Sequence, residues 1–314
     1  MAPSSEHPTF EIPGKLNLLL LAGAAVSAAL CLWLASHADN WPTAVLAALV
    51  FSYVNNTLFS LMHEAAHRKF HDNVALNEAG GRIASAFFPT SFALQRVFHE
   101  AHHQNNRTVV ERFDYYASHE NRFLKYAQWY CILTGLYWIA APAFSAIYMV
   151  FANIVDWNRL FSRGNRFARQ TSAEPFLDSL KRVDVFAARR DAAFSILVQA
   201  GLIIGLGLTW SGWFLCYAFF AVNWSSLQYA DHAFSPLDQT EGAWNLKFNP
   251  IARVLFLNYN LHLNHHRSPG TPWIHLSKLA RSDDAEHSFW KIYLRMWKGP
   301  QPLPASGDEP TARS

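Results

Sequence analysis

The 314-residue chain has only three cysteines, Cys31, Cys131 and Cys216. All lie inside apolar stretches without a Cys-x-x-Cys pairing, so they read as small core hydrophobes and provide neither a disulfide framework nor a thiolate cluster for iron–sulfur ligation. No Gly-x-Gly-x-x-Gly opens a helix, so no dinucleotide site is indicated. Charge is sparse: 16% of residues are charged, the net charge is +3, and no basic stripe with interleaved aromatics exists, which sets nucleic acid aside as a partner. Glu6 and Glu11 stand against Lys15 in the first fifteen residues, with no basic leader and small-residue cleavage site, so no removed signal peptide is expected. No internal repeat period stands out.

Apolar residues are abundant, at 51% of the chain, and 15% of residues are aromatic. Mean hydropathy is nevertheless zero, because long apolar runs alternate with segments rich in Arg, Asn and His, the segregation expected of a chain partly in lipid and partly in water. Leu16 to Ser36 and Pro42 to Met62 are each long enough, at about 1.5 Å per residue, to span a hydrocarbon core of about 30 Å. The short link between them has no Lys or Arg, whereas Arg68, Lys69, Arg82, Arg96 and Arg107 follow the second run, which predicts a hairpin with both ends cytoplasmic. A second hairpin is predicted over Ala192 to Trp210 and Gly212 to Gln228, broken at Ser211-Gly212. Between the hairpins, Trp129 to Ala152 is apolar but followed by a basic segment from Arg159 to Arg190, so a re-entrant or interfacial element kinked at Pro142 is expected.

The expected architecture is therefore an all-α integral membrane protein: about four transmembrane helices in two hairpins, the re-entrant segment, and a cytoplasmic helical cap. The N-terminal tail covers 1–15, the membrane domain 16–298, and a disordered polar tail 299–314.

Fifteen histidines are present, and eight of them fall in three clusters: His63 and His67; His99, His102 and His103; and His262, His265 and His266. Helical positions three or four apart share a face, so each cluster projects its imidazoles together. A lone histidine on an apolar face is ordinarily a satisfied core residue, but eight at these spacings along one membrane boundary point to metal, and their number suggests two ions, since zinc sites close at about four ligands. Imidazole suits iron, zinc and copper alike. Asn56 and Ser60 continue the His63 stripe into the membrane and are expected to help line a substrate pocket, with Phe51, Tyr53 and Trp224 nearby; at Phe51, Tyr53, Asn56 and Trp224 a plain packing role is the alternative. The first cluster also matches His-Glu-x-x-His, the motif of a zinc protease, but that reading leaves the other six histidines without a role.

In their order, and with apolar hairpins between them, the three clusters resemble the histidine boxes of the membrane fatty-acid desaturase superfamily. The stretch from His63 through Asn77 and Gly80 to Arg96-Val97-Phe98-His99, and on to Asn105 and Asp114, is similar to the family's first two boxes; Asn260 to Trp273 is similar to its third with a Pro-x-x-Pro-Trp-like extension. The resemblance covers roughly Leu16 to Leu279. It implies a non-haem di-iron centre, two Fe2+ ions with O2 as co-substrate, ligated by the eight box histidines and by His232 as a ninth. Glu64, Glu100 and Asp231 are candidates to orient imidazoles, or else belong to a solvated helix face. Gln228 is placed either to reach a metal-bound water or as a polar cap. His71 continues the His67 stripe but matches no expected ligand.

The expected activity is oxygen-dependent desaturation of a fatty acyl or related lipid chain; hydroxylases and ketolases of lipids, alkanes or carotenoids share similar boxes and stand as the alternative. A non-enzymatic transporter or metal-binding membrane protein would show paired polar residues along a midplane path, and none is seen. With no internal redox cofactor, a separate donor is implied, a ferredoxin or cytochrome b5-like protein with its reductase. The segment from Arg159 to Arg190 is suited to an acidic carrier or to anionic headgroups, with lipid contact favoured. The expected location is a membrane of the bacterial inner-membrane type, with histidine clusters and both termini cytoplasmic.

Overall fold

The computed structural model describes residues 10–155, 157 and 178–303. Its two long N-terminal helices, α1 (Gly14–His37) and α2 (Trp41–Ala66), form the first hairpin. Pro42 stands in the first turn of α2, and the Asn40 side chain accepts from Thr43 N at 3.0 Å, which fixes where that helix starts. The inner stripe of α1 is Asn17, Leu21, Ala24, Ala28, Cys31, Leu32 and Ala35, small enough for close packing, while Leu19, Val26 and Leu30 are exposed on the outside. Two short amphipathic helices follow, α3 (Val74–Phe87) and α4 (Phe92–Asn105), begun by the Asn73 and Ser91 side chains.

Next come α5 (Arg122–Leu133) and α6 (Leu136–Phe151), bent by 91° across a two-residue break. The expected kink at Pro142 is corrected here: Pro142 lies inside α6, and the chain turns at Gly135. Gly135 has φ 81, and an added Cβ would lie 2.7 Å from Val222 N, so both the turn and the crossing require glycine. The second hairpin consists of α7 (Val185–Gly205) and α8 (Trp210–Ala230). Its turn lies four residues earlier than the expected Ser211-Gly212 break, at Leu206–Thr209, where Gly207 takes φ 58. Gly212 instead sits in the first turn of α8 against α1, where a Cβ would lie 2.7 Å from Ser36 Cα.

Among the described residues, only α1 and α2 are long and apolar enough on their own to cross a membrane; the bent α5–α6 pair makes a third candidate. Arg189, Arg190 and Asp191 put charge into the first two turns of α7, and Asn223, Ser225, Ser226 and Gln228 lower the apolarity of α8. Past α8 the chain turns through short elements: β2 (Asn245–Lys247), α9 (Pro250–Leu255), α10 (His262–Arg267), β3 (Glu286–Ser288) and α11 (Phe289–Met296). β2 pairs in parallel with β3, and β1 (Tyr115–Tyr116) pairs in parallel with β4 (Gln301–Pro302). Order therefore continues beyond the expected boundary at 298, because Gln301 N and Leu303 N donate to Asp114 O and Tyr116 O. The rest of the tail, the N-terminal residues 1–9 and the basic positions from Arg159 to Arg169 lie outside the described residues.

Candidate metal centre

The last turn of α2 supplies His63, and His67 caps that helix; α4 supplies His99, His102 and His103; α10 supplies His262, His265 and His266. His232 follows the end of α8 by two residues. All nine histidines come together, in two groups. His63, His67, His99, His103 and His265 form one, and His102, His232, His262 and His266 the other; within each, the nitrogens lie within 4.8 Å of one another. The second and third boxes are each shared between groups. Their i,i+4 pairs, His99 with His103 and His262 with His266, stay together, while the histidine at i+3 joins the other group. A helix face is wide enough to serve two neighbouring centres.

Nε2 atoms face one another at short range: His67 and His99 at 2.7 Å, His99 and His103 at 3.0 Å, His103 and His265 at 3.0 Å, His232 and His262 at 3.0 Å. His63 Nε2 and His266 Nε2 are buried without a partner. A neutral imidazole has one N–H, so His102, donating from Nδ1 to Glu111 Oε1 at 2.6 Å, and His232, donating from Nδ1 to Gly242 O at 2.9 Å, turn Nε2 lone pairs inward. Burial first, and neighbouring imidazoles second, push His99, His265 and His266 well below the usual histidine range, and burial with His102 and Lys69 holds His67 down to about 3. Neutral nitrogen donors converging on two points are a donor set that fits two transition-metal ions. His63 and His67, the pair a zinc protease would use alone, share their group with three further imidazoles.

The carboxylates divide in an unexpected way. Glu64 is buried, with Oε2 accepting from Trp273 N at 3.1 Å and Oε1 4.0 Å from His63 Nδ1. Glu100 does not orient an imidazole: it is 45% exposed and faces Arg182 at 3.9 Å, because its place on α4 is opposite the histidine face. Glu111, on the loop after α4, takes that part at His102, and no periodicity could have revealed it. Asp231 is fully buried, 3.6 Å from His262 Nε2 and 3.9 Å from His232 Nε2, and burial pushes its carboxyl well above the usual range. Gln228 Oε1 accepts from the Tyr259 hydroxyl at 3.0 Å. His71 stays outside, its Nδ1 accepting from Asn73 N at 2.9 Å.

An apolar cavity of about 360 Å³ reaches the histidines, touching His63, His99, His102 and His232. Its walls include Phe59, Met62, Ala66, Phe88, Tyr137 and Trp224. The expectation for Asn56 and Ser60 is corrected: both are buried but neither lines this cavity, since Asn56 donates to Ser52 O at 2.8 Å and Ser60 to Phe256 O at 3.1 Å. The face of α2 turned to the cavity is the apolar stripe Phe59, Met62, His63 and Ala66. Phe51 packs on Tyr217 and Tyr53 on Phe256, so of the aromatic candidates only Trp224 is a wall residue.

Loop contacts complete the centre. Arg107, directly after the second box, is bidentate to Asp114 at 2.6 and 2.9 Å and donates to Ser235 O at 2.9 Å; Asp114 also accepts from Phe234 N at 2.6 Å. Asn106 donates to Gln239 O and Gly242 O. The segment carrying His232 is thus clasped by the exit of α4.

The family model described as fatty acid desaturase matches residues 39–298. No curated protein matches the chain.

Proposed function

From the chain's membership of the fatty acid desaturase family, we propose that it is a membrane oxidoreductase that desaturates a fatty acyl or related lipid chain, using two irons and O2. The observation that carries this reading is the pair of converging histidine groups at one end of an apolar cavity. His63, His67, His99, His103 and His265 would hold one ion, and His102, His232, His262 and His266 the other. Iron bound there supplies the oxygen chemistry needed to remove hydrogen from an unactivated carbon.

The protein's own part is positioning and exclusion. Glu111 and Gly242 O fix the orientation of His102 and His232, and Glu64 ties the end of α2 to Trp273 beside the third box. Phe59, Phe88 and Trp224 keep water from the reacting carbon and hold the chain beside the histidines. Two hairpins with α1, α2, α7 and α8 crossing the bilayer, and the cap on the cytoplasmic side of a bacterial inner membrane, fit the basic residues after α2. Electrons come from a separate ferredoxin or cytochrome b5-like carrier with its reductase.

Lipid mass spectrometry of cells expressing the protein, beside a His265→Ala control, tests the reaction. An unsaturated product that requires His265 is expected; an oxygenated product containing oxygen from O2 replaces desaturase by hydroxylase or ketolase. Metal analysis of the purified protein is expected to give two irons per chain, and a single zinc without iron refutes the reading.

A further inference from the structure

Among the described residues, three carboxylates are buried against the histidines, and they differ in which side of the imidazoles they face. Glu64 approaches the Nδ1 side of His63, and Glu111 accepts from Nδ1 of His102. Both stand behind the rings, and Glu111 orients its ring by that hydrogen bond. Asp231 stands in front: its oxygens approach Nε2 of His262 and Nε2 of His232, the same atoms that approach each other at 3.0 Å.

Local structure gives Asp231 no other task. It follows α8 directly, at the negative end of the helix dipole, where a carboxylate is disfavoured. The side chain is fully buried, and neither Oδ1 nor Oδ2 has a hydrogen-bond partner. Its backbone is engaged, the N–H with Leu227 O and the C=O with Trp244 N, so the residue is held in place while its side chain is left bare. A buried carboxylate without donors is costly unless a cation faces it.

Resting on the two-metal reading above, we propose that Asp231 is itself a ligand, the one anionic donor to the ion of the four-histidine group. Two donors each about 2.1 Å from one ion can be no more than about 4.2 Å apart, and Asp231 meets that limit with two of the four histidines, at 3.6 Å from His262 and 3.9 Å from His232. The ligand count also becomes even: five imidazoles on one ion, four imidazoles and a carboxylate on the other. The charge does not, since the second site alone receives a negative ligand. An anionic oxygen donor binds harder cations and lowers the potential of a bound iron, so the two ions are chemically unlike.

The test compares wild type with Asp231→Asn, which keeps the shape and removes the charge, and Asp231→Leu, which also removes the oxygens. Each purified protein, folded by gel filtration, is loaded with zinc or iron and challenged with a chelator while metal per chain is followed. The wild type is expected to keep two ions, and both variants to lose one of them roughly 10–100-fold faster while the other leaves at the wild-type rate. A mutation-free measurement runs beside it: infrared difference spectra of wild type with isotope-labelled aspartate, metal-free against zinc-loaded, should show one aspartate carboxyl becoming metal-bound. Two ions in the wild type with unchanged release from both variants, or no aspartate band, overturn the assignment and leave the two-metal reading standing. A wild type that holds one ion overturns both.

Discussion

Replacing Arg107 by Met tests how the two halves of the centre are joined. Arg107 is 1% exposed and Asp114 fully buried, so the pair is cut off from solvent. Burial works against the Arg107 charge, but the facing carboxylate outweighs it and the guanidinium is held above its ordinary range. Methionine fills much of the same volume and leaves the Asp114 charge with only neutral donors, Phe234 N at 2.6 Å and the Tyr229 hydroxyl at 3.5 Å, and Ser235 O without its Arg107 contact. Breaking one side of a buried pair costs about 3–5 kcal/mol. The loss concentrates on the loop after His232, so metal at the four-histidine group should be shed first. Reversible unfolding in mixed micelles, followed by tryptophan fluorescence, measures the stability, and metal analysis the site. The double variant Arg107→Met/Asp114→Leu should regain part of the loss, because no charge is then stranded. A cost for Arg107→Met below ~1 kcal/mol, the size of an exposed ion pair, with metal content unchanged, refutes the clasp.

Three further outcomes follow from the same geometry. Glu111→Leu removes the acceptor of His102 Nδ1 and should weaken metal retention roughly 10–100-fold, measured by competition with a chelator; equal retention refutes that role. Gly81→Ala would place a Cβ 2.2 Å from the Phe92 ring at the start of α4, and the forced shift should cost about 1–3 kcal/mol, read as a lowered melting temperature. The metal-free protein should lose stability in acid: His99, His265 and His266 are held neutral when folded and titrate near ~6.5 when unfolded, so the unfolded chain binds more protons as pH falls through about 6.5. Each such imidazole contributes up to ~1.4 kcal/mol per pH unit, and a melting temperature that does not fall between about pH 7.5 and about pH 5.5 contradicts this.

The apolar runs and histidine spacings made α1, α2 and the eight clustered imidazoles readable from sequence, because both signals are local and periodic. His232 came through resemblance, having no partner of its own in sequence. What stayed hidden depended on distant contact. Pro142 drew attention as a kink, yet the turn belongs to Gly135, whose need for glycine arises from the backbone of α8 crossing it. Asn56 and Ser60 looked like pocket residues because polar groups in a membrane helix attract a functional reading; the Asn56 amide and the Ser60 hydroxyl donate to backbone carbonyls at Ser52 and Phe256 instead. Glu100 and Glu111 could not be ranked by position, since the helix carrying the first ends before the second and the loop folds back on His102.

The cavity takes Phe59, Met62, His63 and Ala66 from a single helix. A helix is also a scale: one turn moves a side chain by about 5.4 Å along its axis, a distance of several carbon–carbon bonds. On α2 the same rigid rod carries the wall of the cavity and two of the histidines, so the interval between a bulky wall residue and the metals is set by residue count. Moving bulk from Phe59 to a neighbouring turn of α2 would therefore shift which carbon of a bound chain rests beside the histidines, and position along the chain becomes a property written in steps of one helical turn.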